Sequence, residues 1–356
     1  MEVSQLKASN TGKVRNLFRL PVLAAAAVAV MVGVAGCTAG TPDATSTEAD
    51  GAAGDSAGTV NAVMIVGADG DPFFSKVKNG SDDVVAGYGG GLNITYLGPK
   101  SYDNLGPDVA KLLQTALTQR PDVVIAPDWV PDSQDPAFEQ LIDAGIPVIL
   151  YNAGGQESVD NLGAVTYIGN EEYTAGQAAG EAMVEDGAKH IVCVNTIPGS
   201  ANIEARCGGA KEAAEAGGAK FSQLDLPSTS FGNPTAVSEA VKAALTSDPT
   251  IDGALAIGAA DSDSVWTAIQ GANAVGKVRL GCFDINKSAA ERIDAGEQLF
   301  AVDQQPYLQG YLSASTAYQY VNWGILSPMI PNLTGPLLIT QETAAAALQG
   351  IADGVR

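Results

Sequence analysis

The chain has 356 residues, 46% of them hydrophobic, which is enough for about two domains with buried cores. Acidic residues outnumber basic residues by 40 to 19, giving a formal net charge of −21. Nucleic acids and anionic membranes are bound through basic faces, so we expect neither nucleic-acid binding nor broad attachment to an anionic membrane. The single histidine, His190, excludes a site built from several histidines.

The first 36 residues have the pattern of an export signal. Four basic residues precede an apolar run over residues 20–36, as in a secretory signal peptide. A permanent membrane span is the alternative, but the run only just reaches spanning length and contains Pro21. It ends at Val34-Ala35-Gly36-Cys37, which resembles the bacterial lipobox. We therefore expect residues 1–36 to be a lipoprotein signal peptide and Cys37 to be lipidated.

Residues 37–59 are predicted to be a flexible tether. Residues 38–58 are almost entirely Thr, Ala, Gly, Ser, Asp, Glu and Pro. Such a segment buries too little apolar surface to fold. The sequence thus predicts an extracytoplasmic domain that is lipid-anchored to the cell membrane, in the periplasm or on the outer face of the cytoplasmic membrane.

From residue 60 on, apolar strands alternate with helices. Strands are predicted over 61–67, 92–97, 122–126, 147–151 and 166–168, and then over 190–195, 220–224, 253–257, 278–283 and 299–303. Helices are predicted over 73–86, 108–119, 136–144, 171–185, 201–216, 234–245, 262–274 and 287–295, with a glycine-rich connection after residue 151. Buried strands separated by helices are typical of parallel sheets covered on both faces. The alternation runs through two successive sets of strands and helices, so it predicts an α/β fold with two doubly wound lobes.

Ligands of doubly wound sheets bind beyond the carboxyl ends of the strands. Asp128 and Trp129 follow one predicted strand, and Asp261 follows another, so all three are candidates for a cleft between the lobes. The run from Asp261 to Ser264 is rich in helix-capping residue types and is predicted to cap the next helix, with Asp261 free to face the cleft.

Motifs of catalysis and cofactor binding are absent or misplaced. There is no phosphate-binding G-x-x-x-x-G-K-[ST] loop, and no predicted strand is followed by a G-x-S-x-G elbow, because that spacing occurs only at Gly54–Gly58, in the predicted tether. The glycine-rich run Gly87–Gly91 lies between a helix and a strand, whereas a dinucleotide loop needs the reverse order. His190 opens a strand and is expected to be structural. We therefore predict a protein that is not an enzyme and has no cofactor and no metal.

Four cysteines do not make a disulfide scaffold in a chain of this length. Cys193 lies in a predicted strand and Cys207 early in the following helix, so the two are a possible disulfide, and two buried free thiols are the alternative. Cys282 is expected to be a small core residue.

Several short motifs resemble the type 1 periplasmic sugar-binding proteins, the ribose-binding-protein family. They are Asp71-Pro72-Phe73-Phe74, Ile168-Gly169-Asn170 followed by Ala175-Gly176, Gly281-Cys282-Phe283-Asp284, and Asp303-Gln304-Gln305-Pro306-Tyr307 with Gly310. Their order and spacing match the family over about residues 60–350. The resemblance, together with the lipobox, identifies the chain as a substrate-binding lipoprotein of this kind.

The resemblance implies a set of ligand-binding residues. Aromatic side chains pack on the CH faces of a sugar, and planar polar side chains bind its hydroxyl groups. The positions that match the family are Asp71, Phe73, Phe74, Asn152, Arg206, Phe231, Asp284 and Gln304. Two positions depart from it: Asp71 stands where many relatives have Asn, and Ala153 where many have Arg. Phe73 and Phe74 as core residues, and Arg206 in an ordinary salt bridge, are the alternatives.

The resemblance also implies two lobes joined by three crossing segments near residues 167–170, 303–305 and 333–337. The N-terminal lobe would be residues 60–168 plus 305–335, and the C-terminal lobe 169–304 plus 336–356. The lobes would close on a monosaccharide or related polyol and deliver it, as a monomer, to an ABC permease in the membrane. A sugar-sensing lipoprotein for a signalling receptor and, less well supported, an exported carboxylate-based glycoside hydrolase are the alternatives. The sugar itself is left open.

Overall fold

The computed structural model describes residues 58–356, so the predicted signal peptide, Cys37 and nearly all of the predicted tether lie outside the described residues. Within residues 58–356, no helix combines the length and the apolar character needed to cross a bilayer.

The described residues form alternating strands and helices. The strands are β1 (Val60–Ile65), β2 (Leu92–Leu97), β3 (Val123–Ala126), β4 (Val148–Tyr151), β5 (Thr166–Asn170), β6 (His190–Asn195), β7 (Lys220–Asp225), β8 (Gly253–Ala256), β9 (Arg279–Phe283), β10 (Phe300–Asp303), β11 (Asn332–Gly335) and β12 (Leu337–Ile339). The helices are α1 (Pro72–Gly87), α2 (Leu105–Gln119), α3 (Pro131–Asp143), α4 (Gly155–Leu162), α5 (Glu172–Glu185), α6 (Ala201–Ala216), α7 (Pro234–Ser247), α8 (Ala259–Gly271), α9 (Lys287–Asp294), α10 (Pro306–Trp323) and α11 (Ala344–Ala352).

The strands form two six-stranded sheets. The order in the first is β11-β5-β4-β3-β1-β2, and all of its pairs are parallel. The order in the second is β12-β10-β9-β8-β6-β7, in which only the β10–β12 pair is antiparallel. Strands β3, β4, β6 and β8 are buried throughout, as expected for sheets covered by helices on both faces. The predicted α/β fold with two doubly wound lobes is confirmed.

The chain passes between the sheets three times. It leaves the first sheet after Asn170, returns between Asp303 and Pro306, and crosses again between Gly335 and Leu337. The last crossing places β11 at the edge of the first sheet beside β5, and β12 at the edge of the second beside β10. Each lobe is therefore built from separated stretches of the chain.

Glycines allow two pairs of helices to approach closely. A Cβ atom on Gly310 of α10 would collide with the carbonyl oxygen of Val77 in α1. A Cβ atom on Gly176 of α5 would likewise collide with the carbonyl oxygen of Arg206 in α6. The glycines of the Ala175-Gly176 and Gly310 motifs therefore have a packing role, because no larger residue fits between these backbones.

Several element predictions were wrong in detail. Helix α2 begins at Leu105 and not at 108, and helices α10 and α11 were not predicted. Helix α3 begins at Pro131 and not at 136, because Pro131 occupies the first helical turn and Pro136 is tolerated inside the helix. The connection after residue 151 contains helix α4, which begins at Gly155, directly after its N-cap Gly154. Helix α8 begins at Ala259 with Gly258 as its N-cap, so the run from Asp261 to Ser264 lies inside the helix and caps nothing.

Candidate functional site

A cavity of about 300 Å³ lies between the lobes, at the carboxyl ends of the central strands. All of the ligand-binding residues predicted from the sequence except Asp128 line it: Asp71, Phe73, Phe74, Trp129, Asn152, Arg206, Phe231, Asp261, Asp284 and Gln304. Its volume lies at the lower end of the range for small-molecule sites. The sequence reasoning therefore selected residues that the fold brings to one place.

Asp128 is the exception and is a correction to the sequence analysis. Its side chain is fully buried and its Oδ2 accepts a hydrogen bond of 2.7 Å from the Ser158 hydroxyl of α4. This bond holds it against α4 of the first lobe, and of the two neighbours only Trp129 lines the cavity. Burial raises the pKa of Asp128 to about 6, although the Ser158 bond opposes this.

Aromatic rings form one wall of the cavity. Phe74 packs edge to face on Phe73 and on Trp129, with ring centroids 5.0 and 5.7 Å apart. The Nε1 atom of Trp129 donates to Oδ1 of Asn152 at 3.0 Å, which fixes both side chains. Phe73 is only partly buried, so its ring is accessible. This wall can pack on the apolar face of a ring-shaped ligand.

Asp71 connects the aromatic wall to the polar part of the site. It is the N-cap of α1, and its Oδ1 accepts from the backbone N–H of Phe73 at 2.9 Å. Its Oδ2 accepts from the hydroxyl of Tyr102 at 2.6 Å. Burial raises the pKa of Asp71 above its usual value, although both hydrogen bonds favour the charged form.

Arg206 is held in place by Glu172 from the neighbouring helix. Its Nε and Nη2 atoms donate to the two carboxylate oxygens of Glu172 at 2.7 and 3.0 Å, and its Nη1 donates to the Ile257 carbonyl at 3.0 Å. Both charged side chains are buried. Burial acts to lower the pKa of Arg206, but Glu172 outweighs it and raises the pKa. The salt bridge that the sequence left as the alternative therefore exists, and Arg206 lines the cavity as well.

Asp261 and Asp284 bring two more carboxyl groups to the cavity from the second lobe. The Oδ2 atoms of both lie within 3.8 Å of the point where a Cβ atom on Gly258 would sit. Asp261 accepts from the hydroxyl of Thr196 at 2.9 Å, and Asp284 accepts from the side-chain amide of Gln304. Burial raises the pKa of each to about 7, and the charge of Asp71 adds to the effect. Three aspartates thus bring hydrogen-bond acceptors to the site, which the cations Lys76, Arg206, Lys287 and Arg356 line as well.

The two lobes touch across the cavity. The backbone N–H of Ala201 in the second lobe donates to the carbonyl of Trp129 in the first at 2.8 Å. The Phe231 ring packs edge to face on Tyr102 with the centroids 4.8 Å apart. These contacts describe a closed arrangement in which residues from both lobes surround the same space.

Several residues that line the cavity were not predicted from the sequence, among them three with uncharged polar side chains. Tyr102 lies in the loop after β2, Asn202 near the start of α6, and Asn286 directly after the Asp284 motif. Each follows the carboxyl end of a strand, the signal that selected Trp129. Tyr102 was missed because four residues separate it from β2. The Asn286 side chain also has a structural role, because it caps α9 and donates a hydrogen bond to Asp263 at 2.9 Å.

Outside the cavity, Cys193 in β6 and Cys207 in α6 form a disulfide, and Cys282 is a buried free thiol. His190 is buried at the amino end of β6, with its ring nitrogens 2.9 Å from Thr250 Oγ1 and 3.2 Å from Ser222 Oγ. Its contacts are structural, and it lies at the end of the strand opposite to the cavity.

Comparisons with known proteins bear on this site. Residues 62–324 match the family described as periplasmic binding protein domain. The xylose/arabinose-binding protein XylF of Sulfolobus acidocaldarius is 26% identical over 268 residues, which cover 70% of this chain and 63% of that protein. The chain therefore spans less than two thirds of the length of this curated relative.

Solved structures show the same fold. A carbohydrate transporter from Acidothermus cellulolyticus 11B, in complex with myo-inositol, has 27% identity and a TM-score of 0.76 over 83% of this chain and 99% of that one. GanP, a glucose-galactose binding protein from Geobacillus stearothermophilus, has 20% identity and a TM-score of 0.70 over 80% and 98% of the two chains. The family match covers well over half of the sequence, so the chain belongs to the periplasmic binding protein family.

Proposed function

We propose that the chain is a solute-binding lipoprotein that captures a neutral monosaccharide or cyclic polyol and delivers it to an ABC permease. The observation that carries the proposal is the two-sided cavity. Phe73, Phe74 and Trp129 form an apolar wall, while Asp71, Asn152, Asp261, Asp284 and Gln304 supply polar groups to the same space. A sugar or cyclitol presents apolar CH faces and a rim of hydroxyl groups, which match the two kinds of surface.

The balance of acceptors and donors narrows the ligand class. Asp71, Asp261 and Asp284 can accept several hydroxyl protons. Of the cations that line the cavity, the buried Arg206 is paired with Glu172 and Arg356 lies 3.5 Å from Asp303, while Lys76 and Lys287 are at least partly exposed to solvent. Ala153 leaves out the arginine that many family members have at this position. A neutral ligand with several hydroxyl donors therefore fits better than a sugar acid or a sugar phosphate, which would bring a second set of negative charges.

The named relatives support this class. The 27% identical structure was solved with myo-inositol, a ring in which every carbon carries a hydroxyl group. The 26% identical relative is named for xylose and arabinose, which are neutral pentoses. Both ligands lack a charged group, which supports the proposed neutral class.

Binding would act through closure of the lobes. A ligand shifts an open–closed equilibrium only by its higher affinity for the closed form. Because the cavity is lined from both lobes, a ligand there gains contacts on closure that either lobe alone cannot provide. The closed form would then be the one that a permease recognises. Lipidation at Cys37 would keep the domain near that permease.

A ligand screen tests the proposal. Residues 58–356, refolded to remove bound ligand, are heated with single pentoses, hexoses, polyols, inositols and sugar acids. A ligand at 100 times its dissociation constant stabilises by about 2.7 kcal/mol, which raises the melting temperature by a few degrees. We expect one or a few neutral compounds to do so, and sugar acids to fail. A response to sugar acids alone, or to none of the compounds, contradicts the proposal.

The partner is tested separately. Labelled fatty acid should enter the protein in cells and be lost in Cys37→Ser, which tests the lipid anchor. Uptake of the identified ligand should fall when the gene is deleted, as expected for a permease partner. Normal uptake with loss of a ligand-dependent transcriptional response would favour the sensor alternative.

A further inference from the structure

An apolar loop projects from the first lobe between α10 and β11. We take the apolar loop as residues 323–330, which include Trp323, the last residue of α10. The side chains of Trp323, Ile325, Met329 and Ile330 are all exposed. The exposed fraction reaches 54% for Trp323 and 75% for Met329. Four large apolar side chains exposed within eight residues exceed the scattered exposure of an ordinary surface and mark a contact surface.

The segment around the loop has no charge. From Gln304 to Gln341 the sequence contains no Asp, Glu, Lys, Arg or His, although 17% of the chain is charged. A protein surface that approaches a bilayer must remove its charged groups from water, which costs free energy. Residues 304–341 contain no charged group, so they do not incur this cost. Tryptophan beside aliphatic side chains is also the combination that favours the membrane interface.

The loop lies beside the point where the chain enters the first lobe. Thr59 Oγ1 donates to the Gly90 carbonyl, and Val60 N donates to the Gly91 carbonyl at 2.9 Å, so β1 begins next to the turn after α1. Tyr88 in that turn stacks on Tyr318 of α10 with the ring centroids 3.8 Å apart. Tyr318 in turn contacts the ring of Trp323, 5.4 Å away.

The amino end of β1 is the end away from the cavity, since the cavity lies at the carboxyl ends of the strands. The chain from Cys37 therefore enters the described residues at the end of the first lobe that carries the apolar loop, opposite the cavity. A lipid attached at Cys37 would tether the domain through this end of the first lobe.

We propose that the apolar loop rests on the bilayer surface and orients the anchored domain with its cavity facing away from the lipid. The proposal rests on the anchoring part of the proposed function. A bilayer is favoured over an acidic or basic protein partner, because the loop and its neighbours in sequence offer no charge for such a partner to pair with. The strong negative charge of the chain opposes contact elsewhere on an anionic membrane.

Quenching of tryptophan fluorescence tests the proposal. The chain from Cys37 on is coupled through its Cys37 thiol to maleimide lipids in phosphatidylcholine vesicles whose acyl chains are brominated. Cys37 is the available thiol, because Cys193 and Cys207 are bonded and Cys282 is buried. Bromine in the acyl chains quenches only an indole that enters the interface. We expect the emission to fall relative to unbrominated vesicles.

Two variants locate the contact. Trp323→Phe should abolish the quenching, because Trp129 is buried and Trp266 is packed against the core of the second lobe. Met329→Asp together with Ile330→Asp keeps the reporter and should lower the quenching several-fold. No quenching in the unmodified chain, or equal quenching in Trp323→Phe, overturns the proposal. Loop-dependent dimerisation or permease binding without quenching also overturns it, in favour of a protein partner.

The readouts separate this proposal from the proposed function. Coupling through maleimide replaces lipidation in cells, so a failure of lipidation does not hide the loop contact. The ligand screen on the same samples reports the binding function independently. Quenching without any ligand response would contradict the binding function and leave the loop contact standing.

Discussion

The side-chain amide of Gln304 donates a hydrogen bond to Oδ1 of Asp284. Gln304 lies where the chain returns from the second sheet to the first, and Asp284 faces the cavity. The carboxyl group of Asp284, at the proposed ligand site, is thus hydrogen-bonded to one of the three crossing segments that would form the hinge between the lobes. A ligand that bonds to Asp284 would therefore act directly on a group that is held by the crossing.

Asp284→Ala should weaken ligand binding. Removal of the carboxylate leaves ligand hydroxyl groups and the Gln304 amide without an acceptor, at a cost of about 1–3 kcal/mol. Calorimetry with the ligand from the screen measures the change. Asp143→Ala, at the exposed end of α3, is the matched control and should leave the affinity unchanged. Equal affinities of Asp284→Ala and the control would remove Asp284 from the binding residues.

The unliganded protein should lose stability as the pH rises from about 4 to about 7. Burial raises the pKa of Asp261 and Asp284 from 3.8 to about 7, so in this window the folded state holds more protons than the unfolded state. Their contribution is fully present below pH 4 and is lost as the pH passes 7. Urea unfolding at several pH values should show a shallower pH dependence in Asp261→Asn than in the unmodified chain.

Ligand affinity should have the opposite pH dependence. Ionised carboxylates accept hydroxyl protons better than the protonated groups do, so the affinity should rise as the pH increases toward 8. Calorimetry between pH 5 and pH 8 measures this. An affinity that is flat across the range would show that neither Asp261 nor Asp284 changes its charge in the unliganded site.

Glu172→Gln should destabilise the fold strongly. It leaves the buried guanidinium of Arg206 without a counter-charge, and breaking a buried ion pair costs about 3–5 kcal/mol. The exposed pair of Lys287 and Glu291 provides the control, because Glu291→Gln should change the free energy of unfolding by less than about 0.5 kcal/mol. Urea unfolding distinguishes the two. A small effect in both variants would mean that water reaches Arg206.

Gly310→Ala should loosen the contact between α1 and α10. The added methyl group collides with the backbone of Val77, which cannot move aside as a flexible side chain can. Overpacking of this kind costs about 1–3 kcal/mol. Gly87→Ala, at the end of α1 with open space around the new methyl group, should be neutral or slightly stabilising. A melting temperature of Gly310→Ala at or above that of Gly87→Ala would contradict the close approach.

The sequence predicted the strands well because they are continuous apolar runs between turn residues. His190–Asn195, for example, has the predicted bounds. Helix ends were predicted less well where two signals compete. Pro131 and Pro136 can each begin a helix, and the spacing of apolar residues does not choose between them. Helix α4 was missed because Gly154 and Gly155 indicate a loop, although the residues that follow them are helical.

The candidate site shows the same limit at the level of single side chains. Asp128 and Trp129 are neighbours after one strand, yet only Trp129 lines the cavity. Their hydrogen-bond partners, Ser158 for Asp128 and Asn152 for Trp129, lie 30 and 23 residues away, and a sequence pattern does not specify such partners. Arg206 was predicted at the site, but its partner Glu172 was not, because 34 residues separate them and only the packing of α5 on α6 joins them.

The last crossing has a consequence for how the protein matures. Strands β11 and β12 occupy residues 332–339, and each is the edge strand of a different sheet. A chain that is made and exported from its amino end therefore leaves both sheets incomplete until the same eight residues emerge. Neither lobe can finish folding long before the other, so the two halves of the cavity reach their final form together.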